Sequence, residues 1–81
     1  MNRDIVVAQA YILLNAVLGA EDDILLNLRK LEEVEECFIT MGSFDLICRV
    51  KVADTKDLRP LVTNKIRSID GVRQTMTVII V

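Results

Sequence analysis

Residues 34–52 read VEECFITMGSFDLICRVKV, and the fold follows from how this stretch turns back on itself. Val34 to Met41 and Phe44 to Val52 each alternate with the period of two that a strand imposes, and Gly42-Ser43 between them marks a reversal. A two- or four-residue loop centred on Gly42-Ser43 sets Met41 opposite Phe44, Ile39 opposite Leu46 and Cys37 opposite Cys48, all on one face. With Val50 and Val52 these residues form an apolar surface on which helices can sit. The other face of the hairpin carries Glu36 across from Arg49, Phe38 across from Ile47 and Thr40 across from Asp45, mixing charge with hydrophobe. In this register Cys37 and Cys48 are expected to form a hydrogen-bonded pair, near enough for a disulfide. In a chain with no other cysteine pattern, two reduced thiols packed beneath helices are the expected state.

Upstream of the hairpin, Ile5 to Ala16 is β-branched, aromatic or small with no helical stripe, which predicts a strand apolar on both faces. Its alternating sets are Ala8, Ala10, Ile12 and Leu14 against Val7, Gln9, Tyr11, Leu13 and Asn15. Gly19 punctuates the chain. Glu21, Asp22 and Asp23 then lead into Ile24, Leu25, Leu28 and Leu31, the spacing of one apolar helix face, with Arg29 and Lys30 at the end where cations suit the helix dipole. Downstream, a second helix is expected from near Asp57, because Pro60 then falls in its first turn; capping by Asp54 would bury the proline too deep, so a loose or kinked turn should precede it. Leu58, Leu61, Val62, Ile66 and Ile69 form its buried side, Gly71 ends it, and Val72 to Val81 supplies a last strand. The order β-α-β-β-α-β is that of a ferredoxin-like α+β sandwich, one four-stranded antiparallel sheet with both helices on one face.

Two helices cover one side of a sheet, yet the first and last strands are apolar on both. The last strand sets Val72, Met76, Val78 and Ile80 against Thr75, Thr77, Ile79 and Val81. A face of Tyr11, Leu13, Phe38, Ile47, Ile79 and Val81 left in water would be a large apolar patch, so the chain is expected to dimerise through it, face to face. Size argues the same way. At 81 residues the chain forms a single domain over 1–81, and a domain this small buries only about 60% of the surface its unfolded chain exposes. With no His, and only two Cys in no C-x-x-C arrangement, association is the available means of support. A hydrophobic content of 52% and a mean hydropathy of +0.38 are high beside 27% charged residues.

The same inventory excludes several function classes. Without His there is no Ser-His or Cys-His nucleophile and no common zinc site, and the acidic runs at 21–23 and 32–36 read as solvated helix ends and edges, so neither an enzyme nor a metal protein is expected. No Gly-rich phosphate loop is present and no cofactor is expected. Net charge is −2, basic residues form no block, and Tyr11, Phe38 and Phe44 are the only aromatics, which disfavours direct nucleic-acid binding. No apolar run is long enough to span a bilayer and the start does not read as a secretory signal, so no membrane association and a cytoplasmic location are expected.

The strongest local signal is the turn Thr40-Met41-Gly42-Ser43-Phe44-Asp45. Gly42 permits positive φ or close backbone approach, exposed turn amides suit a carboxylate, and Asp45 suits an ammonium group. The alternative is a tight turn whose Asp bonds nearby backbone; on either reading the carboxylate adds little to the core.

Ala10-Tyr11-Ile12-Leu13-Leu14, the Gly-x-x-Asp of Gly42 to Asp45, and Ile69-Asp70-Gly71-Val72-Arg73-Gln74-Thr75 together resemble the effector domain of the leucine-responsive/asparagine-type (Lrp/AsnC) transcription regulators, over about residues 8 to 81. The resemblance implies the domain called RAM, for regulation of amino-acid metabolism, which pairs through its sheet face into homodimers that assemble further, up to octamers. It implies an amino-acid effector bound where dimers meet, at Met41, Gly42, Ser43, Phe44 and Asp45, with Thr75 and Thr77 as weaker candidates. Full-length regulators carry a helix-turn-helix domain that this chain lacks, so the expectation is a stand-alone module. It would either sense an amino acid and act on transcription indirectly, or serve as a ligand-independent structural partner of full-length regulators.

Overall fold

The computed structural model describes residues 7–81. Its elements follow the expected order: β1 (Ala8–Ala16), α1 (Glu21–Arg29), β2 (Val34–Ile39), β3 (Leu46–Val52), a second helical segment over 55–66, called α2, and β4 (Val72–Ile80). The strands form one antiparallel sheet in the order β2-β3-β1-β4, and the arrangement is the ferredoxin-like sandwich. The expected start of β1 at Ile5 and Val6 lies outside the described residues. No helix among them is long and apolar enough to cross a membrane.

α1 has acids in its first turn and Arg29 in its last, and Ile24 and Leu28, four apart, face the sheet. At the start of α2 the capping side chain is that of Asp54, and Asp57, the expected cap, makes no side-chain capping bond. Asp54 caps a 3-10 turn at Thr55–Asp57 by accepting from the Lys56 N–H, and an α turn at Leu58–Pro60 then holds the proline where its missing N–H costs nothing. The segment widens into a π-helical stretch at Leu61–Ile66, closed by the Arg67 N–H donating to the Val62 carbonyl at 2.8 Å. That wider turn brings Leu61, Val62 and Ile66 together onto the core side.

The core forms where these helices meet Ala10, Ile12, Leu14, Cys37, Leu46, Cys48, Val50 and Val52 of the sheet, and no polar side chain is buried among the described residues. Gly71 closes the joint between α1 and β4. Its φ is +93°, and a Cβ there would lie 2.7 Å from the Ala20 Cβ, so only glycine fits.

The hairpin register is the expected one, with Ile39 opposite Leu46, Phe38 opposite Ile47, Cys37 opposite Cys48 and Glu36 opposite Arg49. A bulge leaves Glu35 unpaired, so Val50 faces Val34. Three expectations need correction. Ile39 and Met41 are not beneath the helices: Ile39 is 44% exposed and Met41 fully so, because the hairpin tip extends past the core. Cys37 and Cys48 are not a hydrogen-bonded pair. The Thr40 N–H donates to the Asp45 carbonyl at 2.8 Å, and strict alternation from that pair makes Cys37/Cys48 a non-hydrogen-bonded one. Both thiols are free and buried.

The third correction concerns β4. Leu13 faces Met76, Tyr11 faces Val78 and Gln9 faces Ile80, so Met76, Val78 and Ile80 share the open face in place of Ile79 and Val81. Ile79 stands opposite Ala10 on the helix side, and Val81 lies past the end of β4. No short turn joins β4 to β1 to set this register, and a bulge at Arg73, between the pairs Asn15/Gln74 and Ala16/Val72, shifts Val72 to the helix side.

Candidate functional site

The turn at 41–44 is held by its flanks. Besides the Thr40–Asp45 backbone bond, the Thr40 hydroxyl donates to the Phe44 carbonyl at 2.8 Å. Three further bonds fasten the turn to the end of β1: the Asp45 N–H donates to the Leu14 carbonyl at 2.8 Å, Asn15 Nδ2 to the Ser43 carbonyl at 3.0 Å, and the Ala16 N–H to Asp45 Oδ2 at 2.8 Å. Asp45 is thus part of the scaffold, contrary to the expectation that its carboxylate matters little to the fold. Asn15 is the residue of this site that sequence reasoning passed over. The signal for Asn15 was its place as the polar residue that ends an apolar strand.

Rigid flanks leave an open tip. Gly42 has φ +143° and open space where a Cβ would stand. Met41, Gly42 and Ser43 are exposed and Phe44 is half-buried. Among the described residues, the amide N–H groups of Gly42, Ser43 and Phe44 find no acceptor and Asp45 Oδ1 finds no donor. Three backbone donors beside one unengaged carboxylate oxygen are chemically complementary to a molecule carrying both a carboxylate and an ammonium group. The clefts that border α1 and α2 do not include residues 41–45, so the tip projects rather than encloses.

Thr75 and Thr77 stand elsewhere. They face Leu14 and Ile12 across β1 on the helix side of the sheet, and Thr77 lines a cleft with Leu58, Arg59 and Val62 of α2. Within one chain the seven expected ligand-binding residues therefore divide into two places, the hairpin tip and the helix side of β4.

The open sheet face is a second candidate surface. Phe38, Ile47, Leu13 and Met76 form one row across all four strands, and Glu36, Arg49, Tyr11 and Val78 form the next. Phe38, Tyr11, Met76, Val78 and Ile80 are all exposed in the single chain. The charge on this face is matched internally: Arg49 donates through Nε and Nη2 to Glu36 Oε2 at 3.1 and 2.9 Å and through Nη1 to Gln9 Oε1 at 3.0 Å. Glu36 holds the Arg49 guanidinium above its ordinary pKa. Glu36 across from Arg49 was legible in the hairpin register; Gln9, two strands from Glu36, was not. No group of three His, Cys, Asp or Glu among the described residues is placed to hold a metal ion.

A family model described as Lrp/AsnC ligand binding domain matches residues 9–81. The chain is 36% identical over 52 residues to the proline dehydrogenase transcriptional activator of Rhizobium radiobacter, a match that covers 64% of this chain and 33% of that protein. It is 33% identical over 52 residues to the leucine-responsive regulatory protein of Escherichia coli strain K12, covering 64% of this chain and 32% of the relative. The matched segment thus spans about a third of the length of these regulators. Among solved structures, that of FFRP-DM1 superposes with a TM-score of 0.87 at 32% identity, over 91% of this chain and 99% of the other.

Proposed function

We propose, because this chain belongs to the Lrp/AsnC ligand binding domain family, that it is an effector-binding and oligomerisation domain that senses an amino acid and regulates transcription indirectly through the regulators it joins. Its relatives are transcription regulators, and the chain is a binding module rather than an enzyme.

The observation that carries the reading is the tip of the β2–β3 hairpin, where the amides of Gly42, Ser43 and Phe44 have no acceptor and the next residue, Asp45, has one carboxylate oxygen without a donor among the described residues. An α-amino acid presents the matching pair of groups. Because the tip projects, a ligand there is enclosed only when another subunit supplies the opposite wall, so binding and assembly are coupled. Homodimers form through the open sheet face, and dimers meet near residues 41–45 in a higher oligomer, up to an octamer. Thr75 and Thr77 join a site only from a neighbouring copy. The names of the relatives, one leucine-responsive and one an activator of proline dehydrogenase, support an amino acid as the effector class.

Calorimetric or thermal-shift screening of the twenty amino acids against the assembled protein tests this. One or a few should bind and shift the assembly; no response from a verified oligomer would contradict it. One observation favours a second reading, in which the domain is a ligand-independent partner within mixed oligomers: the Asp45 carboxylate is already engaged by the Ala16 N–H. Co-purification with a full-length Lrp/AsnC regulator, unchanged by any amino acid, would favour that reading.

A further inference from the structure

Cys37 and Cys48 face each other across β2 and β3, and neither takes part in the hairpin tip or the open face. Their environments differ. Cys37 lines a cleft of about 370 Å³ with Arg29, Val34, Glu35 and Phe38, and Arg29 Nη2 donates to the Cys37 carbonyl at 3.4 Å. Cys48 belongs to the central strand beneath the helices, 1% exposed. The Cys37 thiol lies below its ordinary pKa because it accepts from Cys48 and faces the Arg29 guanidinium, whereas the hydrogen bond to Cys37 and burial push Cys48 upward. Cys37, 3% exposed in the wall of that cleft, is thus the sulfur with the greater thiolate character, and Cys48 is its protonated partner.

We propose that Cys37 and Cys48 are a dithiol that hydrogen peroxide oxidises reversibly to an intrachain cross-strand disulfide. The Cys37 sulfur attacks one peroxide oxygen; an S–O bond forms, the O–O bond breaks, and the leaving oxygen departs as water, leaving a sulfenic acid. The Cys48 sulfur then attacks the Cys37 sulfur; the S–S bond forms, the S–O bond breaks, and the hydroxyl leaves as water with the Cys48 proton. Two thiols lose two electrons and one peroxide becomes two waters. Geometry permits the bond without moving the strands, because directly opposed non-hydrogen-bonded residues have Cα atoms about 4.5 Å apart, at the short end of the disulfide range of about 4.4–6.8 Å.

The test treats the full chain with a few equivalents of hydrogen peroxide, then denatures it in an alkylating reagent and weighs it. Both alkylatable thiols should be lost, with the mass of a single chain lowered by two hydrogens and restored by dithiothreitol. Cys48→Ser should stop at a Cys37 sulfenic acid trapped by dimedone, and Cys37→Ser should leave Cys48 unreacted. Two thiols still alkylated after peroxide, disulfides between chains, or preferential oxidation of Cys48 would each overturn the proposal. The wild-type measurement stands by itself if either serine variant fails to fold.

Discussion

Asp45 Oδ2 accepts the Ala16 backbone N–H at 2.8 Å, a bond between residues far apart in sequence that fastens the hairpin tip to the end of β1. Removing the acceptor strands a donor on a buried residue, and Asp45→Ala should cost about 1–3 kcal/mol in urea unfolding. Asp45→Asn keeps an oxygen in place and should lose less. If Asp45→Ala unfolds at the wild-type midpoint, the bond does not stabilise the fold.

Ile47 sits in the central row of the open face, half-buried by its neighbours. Ile47→Arg would force an unpaired charge into the proposed face-to-face contact, and should weaken the proposed dimer by about 3 kcal/mol or more, roughly a hundredfold in dissociation constant. Circular dichroism of the variant should match the wild type, since the side chain is outside the helix-covered core. A variant that sediments as the wild-type dimer would remove this face from the interface.

The open face also marks where sequence reading succeeded and where it stopped. Cross-strand pairs from Glu36/Arg49 to Ile39/Leu46 were legible because a short turn at Gly42-Ser43 joins the two strands and fixes their register. Met76, Val78 and Ile80 were assigned to the wrong side because β4 meets β1 only through long-range pairing, and the bulge at Arg73 breaks its parity near the start. The candidate turn was found from its own residues. Its anchoring by Asn15 and Ala16 was not, since nothing local to Asp45 specifies a partner in β1. The exposure of Ile39 and Met41 depends on how far the helices reach, which alternation does not encode.

Gly71→Ala would place a methyl 2.7 Å from the Ala20 Cβ at a φ of +93°. The expected loss is about 2 kcal/mol or more by thermal or urea unfolding, from backbone strain plus overlap. Ala20→Gly in the same chain should recover the overlap and leave the strain, so a full rescue would show that conformation at residue 71 is immaterial.

Lys65 Nζ lies 2.7 Å from Glu33 Oε2, and this hydrogen bond holds the Glu33 carboxyl below its ordinary pKa. A carboxyl lowered on folding stabilises the native state above its unfolded pKa and ceases to do so as pH falls through the folded one. The contribution should therefore be present at neutral pH, disappear in the acid range below the usual glutamate midpoint, and shrink in high salt because both side chains are partly exposed. An NMR titration of Glu33 in wild type and Lys65→Met checks it: the wild-type midpoint should lie lower, and equal midpoints would mean that the pair does not couple.

The most direct test is the mass of the protein in solution, by light scattering on a sizing column, with and without each amino acid at increasing protein concentration. A dimer or larger assembly at all working concentrations, shifted by a particular amino acid, is the expected result. A monodisperse, fully soluble monomer at high concentration, indifferent to every amino acid, would contradict both the covered sheet face and the sensor that depends on it.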